Sequence, residues 1–267
     1  MEIEQIIEVK NLTKKFKDFT AVNNITFNVK HGEVFAFLGP NGAGKTTTIK
    51  MLTTLLHPTS GYIRINGKDP VSQQNDVRNS FGICFQDQSL DDELTARENM
   101  DLHGVLYGIP RATRRTRIEQ LLKLLELWER RNDQVKKYSG GMKRRLEIGR
   151  ALLHHPKVLF LDEPTQGLDP QTRNHIWTYI KDLNKEEGVT VFFTTHYMEE
   201  ADRNATLMAV IDNGKIVAQG TAEELKAKTG KTLLEDAFID LTGHGIRDEE
   251  AGAADHMRMR GRLWRRR

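Results

Sequence analysis

An α/β architecture is predicted for this 267-residue chain, with strands first, a glycine-rich turn into a helix, a helical insertion, more strands and an antiparallel end. Three observations predict it. Short apolar runs at Val34–Leu38, Val158–Leu161 and Val189–Phe193 have the length and character of buried strands. A glycine-rich turn separates the first of these from a helix-period segment. Helical patterning then fills the stretch from about Leu94 to Leu153, between two strand regions.

The elements follow in order. Ile25, Phe27 and Val29 alternate with polar neighbours, as in a half-buried strand. Val34–Leu38 leads into the glycine-rich turn, and Lys45–Leu56 is predicted as a helix, with Ile49, Leu52 and Leu56 on one face and Pro58 closing it. Gly61–Gly67 is a short strand ending in a turn. Thr95-Ala96-Arg97-Glu98 has capping-box spacing, which starts a helix there. Ile118, Leu121, Leu122 and Leu125 form an apolar helix face that supplies core. Leu207–Ile211 and Lys215–Ala218 flank Asp212-Asn213-Gly214, a hairpin signal. After Gly243 the composition turns to glycine, alanine and charge, so 245–267 is expected to be a mostly disordered tail.

Composition limits the function classes. Charged residues make up 29% and hydrophobic ones 38%, which suits a water-exposed globular protein. No strictly apolar run exceeds five residues, against roughly 20 needed to span a bilayer. The N-terminus does not resemble a signal peptide, so a cytoplasmic location is expected, with any membrane function in a separate chain. The lone cysteine, Cys84, excludes an internal disulfide and is expected as a packed thiol in the strand Phe81–Phe85. The net charge of +3 misleads, because six arginines crowd the last ten residues; without them the balance is 34 basic against 37 acidic. A broad nucleic-acid footprint is not indicated.

The turn itself is Gly39-Pro40-Asn41-Gly42-Ala43-Gly44-Lys45-Thr46-Thr47, which fits the phosphate-binding loop pattern. Glycines let the backbone aim successive N–H groups at phosphate oxygens, and a helix N-terminus adds further donors and a favourable dipole. Lys45 can contact the β- and γ-phosphates, and the Thr46 hydroxyl can ligate Mg²⁺. A nucleoside triphosphate site is therefore expected.

Val158-Leu159-Phe160-Leu161-Asp162-Glu163 is an apolar strand that ends in two acids. Ligands collect beyond the carboxyl ends of parallel strands, so Asp162 is placed to hold Mg²⁺ directly or through water. Glu163 is placed to polarise a water for attack on the γ-phosphate. Ser139-Gly140-Gly141, ahead of an apolar-periodic segment, fits either a simple N-capped helix or a second anion site.

Together these residues resemble the nucleotide-binding subunit of ATP-binding cassette (ABC) transporters, over nearly all of Ile6–Ala222. Gly39–Thr47 matches that family's Walker A loop, Val158–Glu163 its Walker B strand, and Ser139-Gly140-Gly141 its signature, 23 residues before Asp162. The resemblance implies a P-loop NTPase sheet with an N-terminal antiparallel β-subdomain and a helical subdomain inserted at about 90–155, all within 1–244. It also implies roles for residues that look ordinary singly. Gln86 would sense Mg²⁺ and contact the membrane subunit. Gly167-Leu168-Asp169 would touch the opposite subunit, and His196 would lie near the γ-phosphate. Phe16 would stack on the base. Asp87–Thr95, Gly167–Arg173, Leu234–Gly243 and Met142 in the signature resemble the daunorubicin and multidrug exporter type.

The resemblance further implies two ATP molecules, with Mg²⁺, sandwiched between two head-to-tail copies, each on the loop of one copy and under Ser139-Gly140-Gly141 of the other. A separate polytopic permease would receive the motion at Gln86–Leu94, on the cytoplasmic face of the membrane, for export of drug, lipid or polysaccharide. A non-transport ABC ATPase acting on ribosomes or DNA and a weakly hydrolysing binding module are the alternatives. The Arg-rich end is either a solvated tail or a contact for anionic lipid.

Overall fold

The computed structural model describes residues 5–243. β1 (Gln5–Phe16) and β2 (Phe19–Lys30) form an antiparallel hairpin, and β4 (Ser60–Ile65) adds to the other edge of β1, giving a three-stranded sheet ordered β2-β1-β4. Ile25, Phe27 and Val29 all point into the core, as their alternation predicts.

The second sheet has six strands in the order β5-β6-β7-β3-β8-β9. They are β3 (Val34–Leu38), β5 (Phe81–Cys84), β6 (Val158–Asp162), β7 (Thr190–Thr195), β8 (Leu207–Asp212) and β9 (Lys215–Gly220). The first five listed by order run parallel, and β9 folds back antiparallel on β8. Every residue of β3, β6 and β7 is buried, because a parallel sheet is covered on both faces. The β8–β9 turn uses Asn213 and Gly214, both at positive φ (48° and 75°), the conformation a two-residue hairpin needs.

Nine α-helices surround these sheets among the described residues: α1 (Lys45–Leu52), α2 (Gln74–Ser80), α3 (Ala96–Leu106), α4 (Arg111–Leu124), α5 (Gly140–Ala151), α6 (Pro170–Glu187), α7 (Met198–Asn204), α8 (Ala222–Thr229) and α9 (Leu234–Thr242). Three of them, α3 to α5, lie in the chain between β5 and β6. The expected capping box opens α3, with Thr95 and Glu98 each satisfying the other's backbone N–H.

Two apolar layers hold the sheet in place. On one face Phe27 of β2 packs on Phe35 and Phe37 of β3 and on Phe192 of β7, with ring centres 5.5–6.0 Å apart. Each such ring is worth roughly 1.5–3 kcal/mol of burial, so the antiparallel sheet is pinned directly over the strand that feeds the phosphate loop. On the other face Leu159, Leu161 and Phe193 share one core with Met100, Leu121, Leu122, Leu125 and Leu146. Cys84 is buried, and burial pushes its thiol up to about 11, so it behaves as packing material.

One element differs from expectation. The helix after the phosphate loop ends at Leu52, not Leu56. Thr54 takes a left-handed conformation (φ 65°), and the N–H groups of Leu55 and Leu56 both turn back to the carbonyl of Lys50. The Thr53 hydroxyl meanwhile bonds the carbonyl of Ile49, one turn back. Two β-branched threonines that satisfy the last carbonyls locally thus end the helix before Pro58 can. The Arg-rich tail and the lipid contact expected of it lie outside the described residues. No helix among the described residues is long and apolar enough to cross a membrane.

Candidate nucleotide site

The site begins where β3 ends. Gly44 caps α1 in a left-handed conformation (φ 110°), and a Cβ there would come within 2.6 Å of the Ala21 carbonyl oxygen. A Cβ on Gly39 would lie 2.4 Å from the Ile211 carbonyl oxygen. Glycine is therefore required at both ends of the loop, where it is pressed against β2 and β8. The loop then runs straight into the N-terminus of α1, whose first N–H groups have no partner within the helix.

A cleft of about 460 Å³ opens at this point. Pro40, Asn41, Gly42, Gly44, Lys45, Thr46, Thr47, Gln86, Glu163 and His196 all line it. Four separate strands deliver these residues to one end of the sheet: the loop follows β3, Gln86 follows β5, Glu163 follows β6, and His196 follows β7. All lie beyond the carboxyl ends of parallel strands, where open α/β sheets bind ligands.

The charges in the cleft are tied together. Lys45 is only 6% exposed; its ammonium donates to the Gly39 carbonyl at 2.7 Å and lies 3.5 Å from Glu163 Oε1. His196 Nδ1 lies 2.8 Å from Glu163 Oε2. Burial pushes the Glu163 carboxyl up, but the His196 hydrogen bond and the Lys45 charge outweigh it and hold the group below the usual glutamate range. Glu163 is thus a carboxylate at neutral pH, able to accept a proton. Its backbone is left-handed (φ 48°), and its N–H donates to Thr194 Oγ1 at 3.0 Å. That same hydroxyl donates to Asp162 Oδ1 at 2.6 Å, so Thr194 orients both acids.

The His196 loop is secured from behind. Tyr197 N–H donates to the Thr195 hydroxyl at 2.9 Å, and buried Glu200 accepts from Thr195 and Thr165. The Arg173 guanidinium lies over the Tyr197 ring, 4.1 Å from its centre.

Other expected site residues lie elsewhere. Ser139, Gly140, Gly141 and Asp169 are not on the cleft wall. Ser139 caps α5 by accepting from Met142 N–H at 3.3 Å, and a Cβ on Gly141 would meet Thr172 at 2.4 Å. Asp169 caps α6, accepting from the Thr172 hydroxyl at 2.6 Å and its N–H at 3.0 Å, and these bonds hold its carboxyl below the usual aspartate range. The signature and the Asp169 loop therefore share a second surface, one that this chain does not turn toward its own cleft. Gly39 and Ala43 belong to the loop's underside, and Phe16, 44% exposed, packs under the Lys14 ammonium at 5.1 Å. Its cross-strand neighbour Phe19 is the aromatic residue on the cleft wall.

Sequence reasoning missed Phe19 as wall, Thr194 as the bridge between the acids, and Arg144. Arg144 is 7% exposed and donates to the carbonyls of Asp162 (3.0 Å) and Pro164 (2.7 Å). The signal for Thr194 was one of two successive hydroxyl residues closing a strand whose middle is apolar. For Arg144 it was an arginine and an acid, Glu147, three apart on the inward face of a helix.

Thr46, Gln86 and Asp162 supply a hydroxyl, an amide and a carboxylate, all hard oxygen or oxygen-bearing donors of the kind Mg²⁺ takes. Thr46 and Gln86 face the cleft, whereas Asp162 is 1% exposed and held by Thr194, a geometry that fits a water-mediated ligand.

A family model described as ABC transporter matches residues 22–166, more than half of the chain. The chain belongs to the ABC transporter family. It is an ABC ATPase by fold and by motif. It is 43% identical over 228 residues to the daunorubicin/doxorubicin resistance ATP-binding protein DrrA of Streptomyces peucetius, covering 85% of this chain and 69% of that one. It is 39% identical over 256 residues to the Nod factor export ATP-binding protein I of Burkholderia orbicola, covering 96% and 83%. Among solved structures, an ATP-binding subunit of an ABC transporter superposes with a TM-score of 0.80 at 30% identity, over 88% of this chain and 99% of that one. A dimeric, post-hydrolysis ATP-binding cassette, MJ0796 bound to ADP and Pi, gives 0.72 at 30% identity, over 80% and 98%.

Proposed function

We propose that this chain binds and hydrolyses ATP at the interface of two head-to-tail copies and thereby powers export by a separate membrane permease. The observation that carries the reading is the cluster of Lys45, Glu163 and His196 at the mouth of the phosphate loop. Glu163, already ionised, accepts a proton from water as the water oxygen attacks the γ-phosphorus and the bond to the β–γ bridging oxygen breaks, giving ADP and phosphate. His196 holds the carboxylate in place through Oε2. Lys45, drawn from the Gly39 carbonyl, neutralises phosphate charge together with the loop N–H groups. Mg²⁺, held by Thr46 and Gln86 and through water by Asp162, would neutralise β- and γ-oxygens when bound.

The second surface completes the site in the partner copy. Ser139, Gly140 and Gly141 at the N-terminus of α5 supply anion-binding N–H groups to the γ-phosphate on the partner's loop, with Asp169 beside them. Phe16 at the β1–β2 turn is assigned to the base. The ATPase body runs to residue 244, and its 90–155 helical part carries motion toward the permease through Gln86–Leu94 at the cytoplasmic membrane face. Relatives named for drug resistance and for Nod factor export support outward transport, of a drug, a lipid or a polysaccharide. The Arg-rich tail is proposed to touch anionic lipid, and equal liposome binding after truncation at Gly245 would dismiss that part.

The test is affinity purification of Glu163→Gln from solubilised membranes with ATP, followed by mass spectrometry. A polytopic membrane protein in stoichiometric yield is expected. Ribosomal or DNA-bound partners without one would assign the ATPase to different machinery.

A further inference from the structure

We propose that Arg144 and Glu147 are a positioning pair that locks the hydrolytic loop after β6 to the loop after β5, so that α5 moves both as one piece; the role in turnover rests on Glu163 being the hydrolytic carboxylate. Lys143-Arg144-Arg145 is a run of cations at the start of a helix, and such runs ordinarily face water. Arg144 does not. It is 7% exposed, and Glu147, one turn on, is 1% exposed.

The guanidinium reaches two loops at once. Nε donates to the Pro164 carbonyl at 2.7 Å, and Nη2 donates to the carbonyls of Asp162 at 3.0 Å and Glu163 at 3.3 Å. Nη1 donates to the Phe85 carbonyl at 2.5 Å and to Glu147 Oε2 at 3.2 Å. The Phe85 carbonyl immediately precedes Gln86, and the Glu163 carbonyl belongs to the residue paired with Lys45 and His196. One side chain therefore fixes the backbone of two neighbouring loops that reach the cleft.

Glu147 extends the contact further. Its Oε1 accepts from Ser89 N–H at 2.8 Å and from the Ser89 hydroxyl at 3.3 Å. Arg150, three residues on, donates to the Ser89 carbonyl at 2.7 Å and also to its hydroxyl. Arg144, Glu147 and Arg150 lie on one face of α5, whose N-terminus is Ser139-Gly140-Gly141. A rigid helix thus carries phosphate-binding N–H groups at its tip and, on its flank, grips the hydrolytic loop and the Gln86–Leu94 segment. Burying an ion pair is costly unless every donor finds a partner, and here four carbonyls and a carboxylate supply them. Lysine, a point charge on a flexible stem, cannot span them.

The test uses the full chain. Arg144→Lys keeps a charge beside Glu147 but loses the fork; it is expected to lower kcat at least tenfold with ATP affinity by calorimetry unchanged within twofold. Added to Glu163→Gln, it should slow turnover no further. Glu147→Gln is read by hydrogen exchange, with protection expected to fall together in residues 85–94 and 162–166 while the sheet core stays protected. This second variant carries the test if Arg144→Lys does not fold. A kcat within twofold of the parent overturns the proposal, as does exchange that rises in only one segment or throughout the protein. Near-normal turnover in Glu163→Gln alone would remove the hydrolytic reading, while joint loss of protection would still support the link between the loops.

Discussion

His196 Nδ1 sits 2.8 Å from Glu163 Oε2, and the opposite oxygen of that carboxylate lies 3.5 Å from the Lys45 ammonium. Both oxygens of Glu163 are therefore claimed by cations or donors from different elements, Lys45 from α1 and His196 from the loop after β7. His196→Ala frees one of them. Its turnover is expected to fall by roughly 10²-fold, the lower end of the range for loss of an acid–base partner, with ATP binding retained. Phosphate release at saturating ATP measures it; a loss below twofold would detach His196 from the mechanism.

The separation of the signature from the chain's own cleft leads to a second expectation. Ser139→Arg in a Glu163→Gln background should bind ATP as the single variant does yet remain monomeric, because the bulk and charge fall only on the partner interface. Sedimentation with Mg²⁺ and ATP decides this, with the single variant doubling in mass. A dimer in both proteins would put the interface elsewhere.

Removing the Phe16 ring should weaken ATP binding by about 1–3 kcal/mol, the usual worth of one stacked base. Calorimetry on Phe16→Ala beside Phe19→Ala assigns the platform. A larger loss at Phe19, which lines the cleft, would transfer the base to that ring.

Away from the site, His103, Tyr107 and His154 stack in a row, with ring centres 4.7 and 4.0 Å apart. Burial pulls both imidazoles down to about 4 from an ordinary 6.5, with neighbouring positive charge adding to the effect at His103. The unfolded chain therefore takes up protons first, so this stability is complete above pH 6.5 and is lost as pH falls toward 4. The loss is at most about 1.4 kcal/mol per pH unit and per histidine. His154→Gln, which can keep a donor to the Phe81 carbonyl, should flatten the fall of the thermal midpoint between pH 6.5 and 5. An unchanged slope would exclude the stack as its source.

Much of this was legible in the residues. The phosphate loop announces itself because glycine is the one residue that fits where the backbone presses on β2 and β8, and a strand buried on both faces is mostly apolar. The Thr95–Glu98 cap and the Asn213-Gly214 turn were equally plain, since both are local. What escaped depends on tertiary surroundings. Thr53 and Thr54 end α1 through bonds that no periodicity shows. Thr194 looks like any strand threonine until β6 lies beside it. Arg144 stands in a cationic run that composition assigns to solvent, and only the approach of two loops buries it. Phe16 and Phe19 are cross-strand neighbours, and the twist of the hairpin, absent from the pattern of residues, decides which one faces the cleft.

The most direct measurement is phosphate release by Glu163→Gln beside the parent chain at saturating Mg²⁺ and ATP, with ATP affinity measured on the same samples. Turnover is expected to fall by roughly 10²–10⁴-fold at unchanged affinity, the scale of a lost general base. Near-normal turnover in the variant would contradict the account, because the cleft would then hydrolyse ATP without the carboxylate that Lys45 and His196 hold in place.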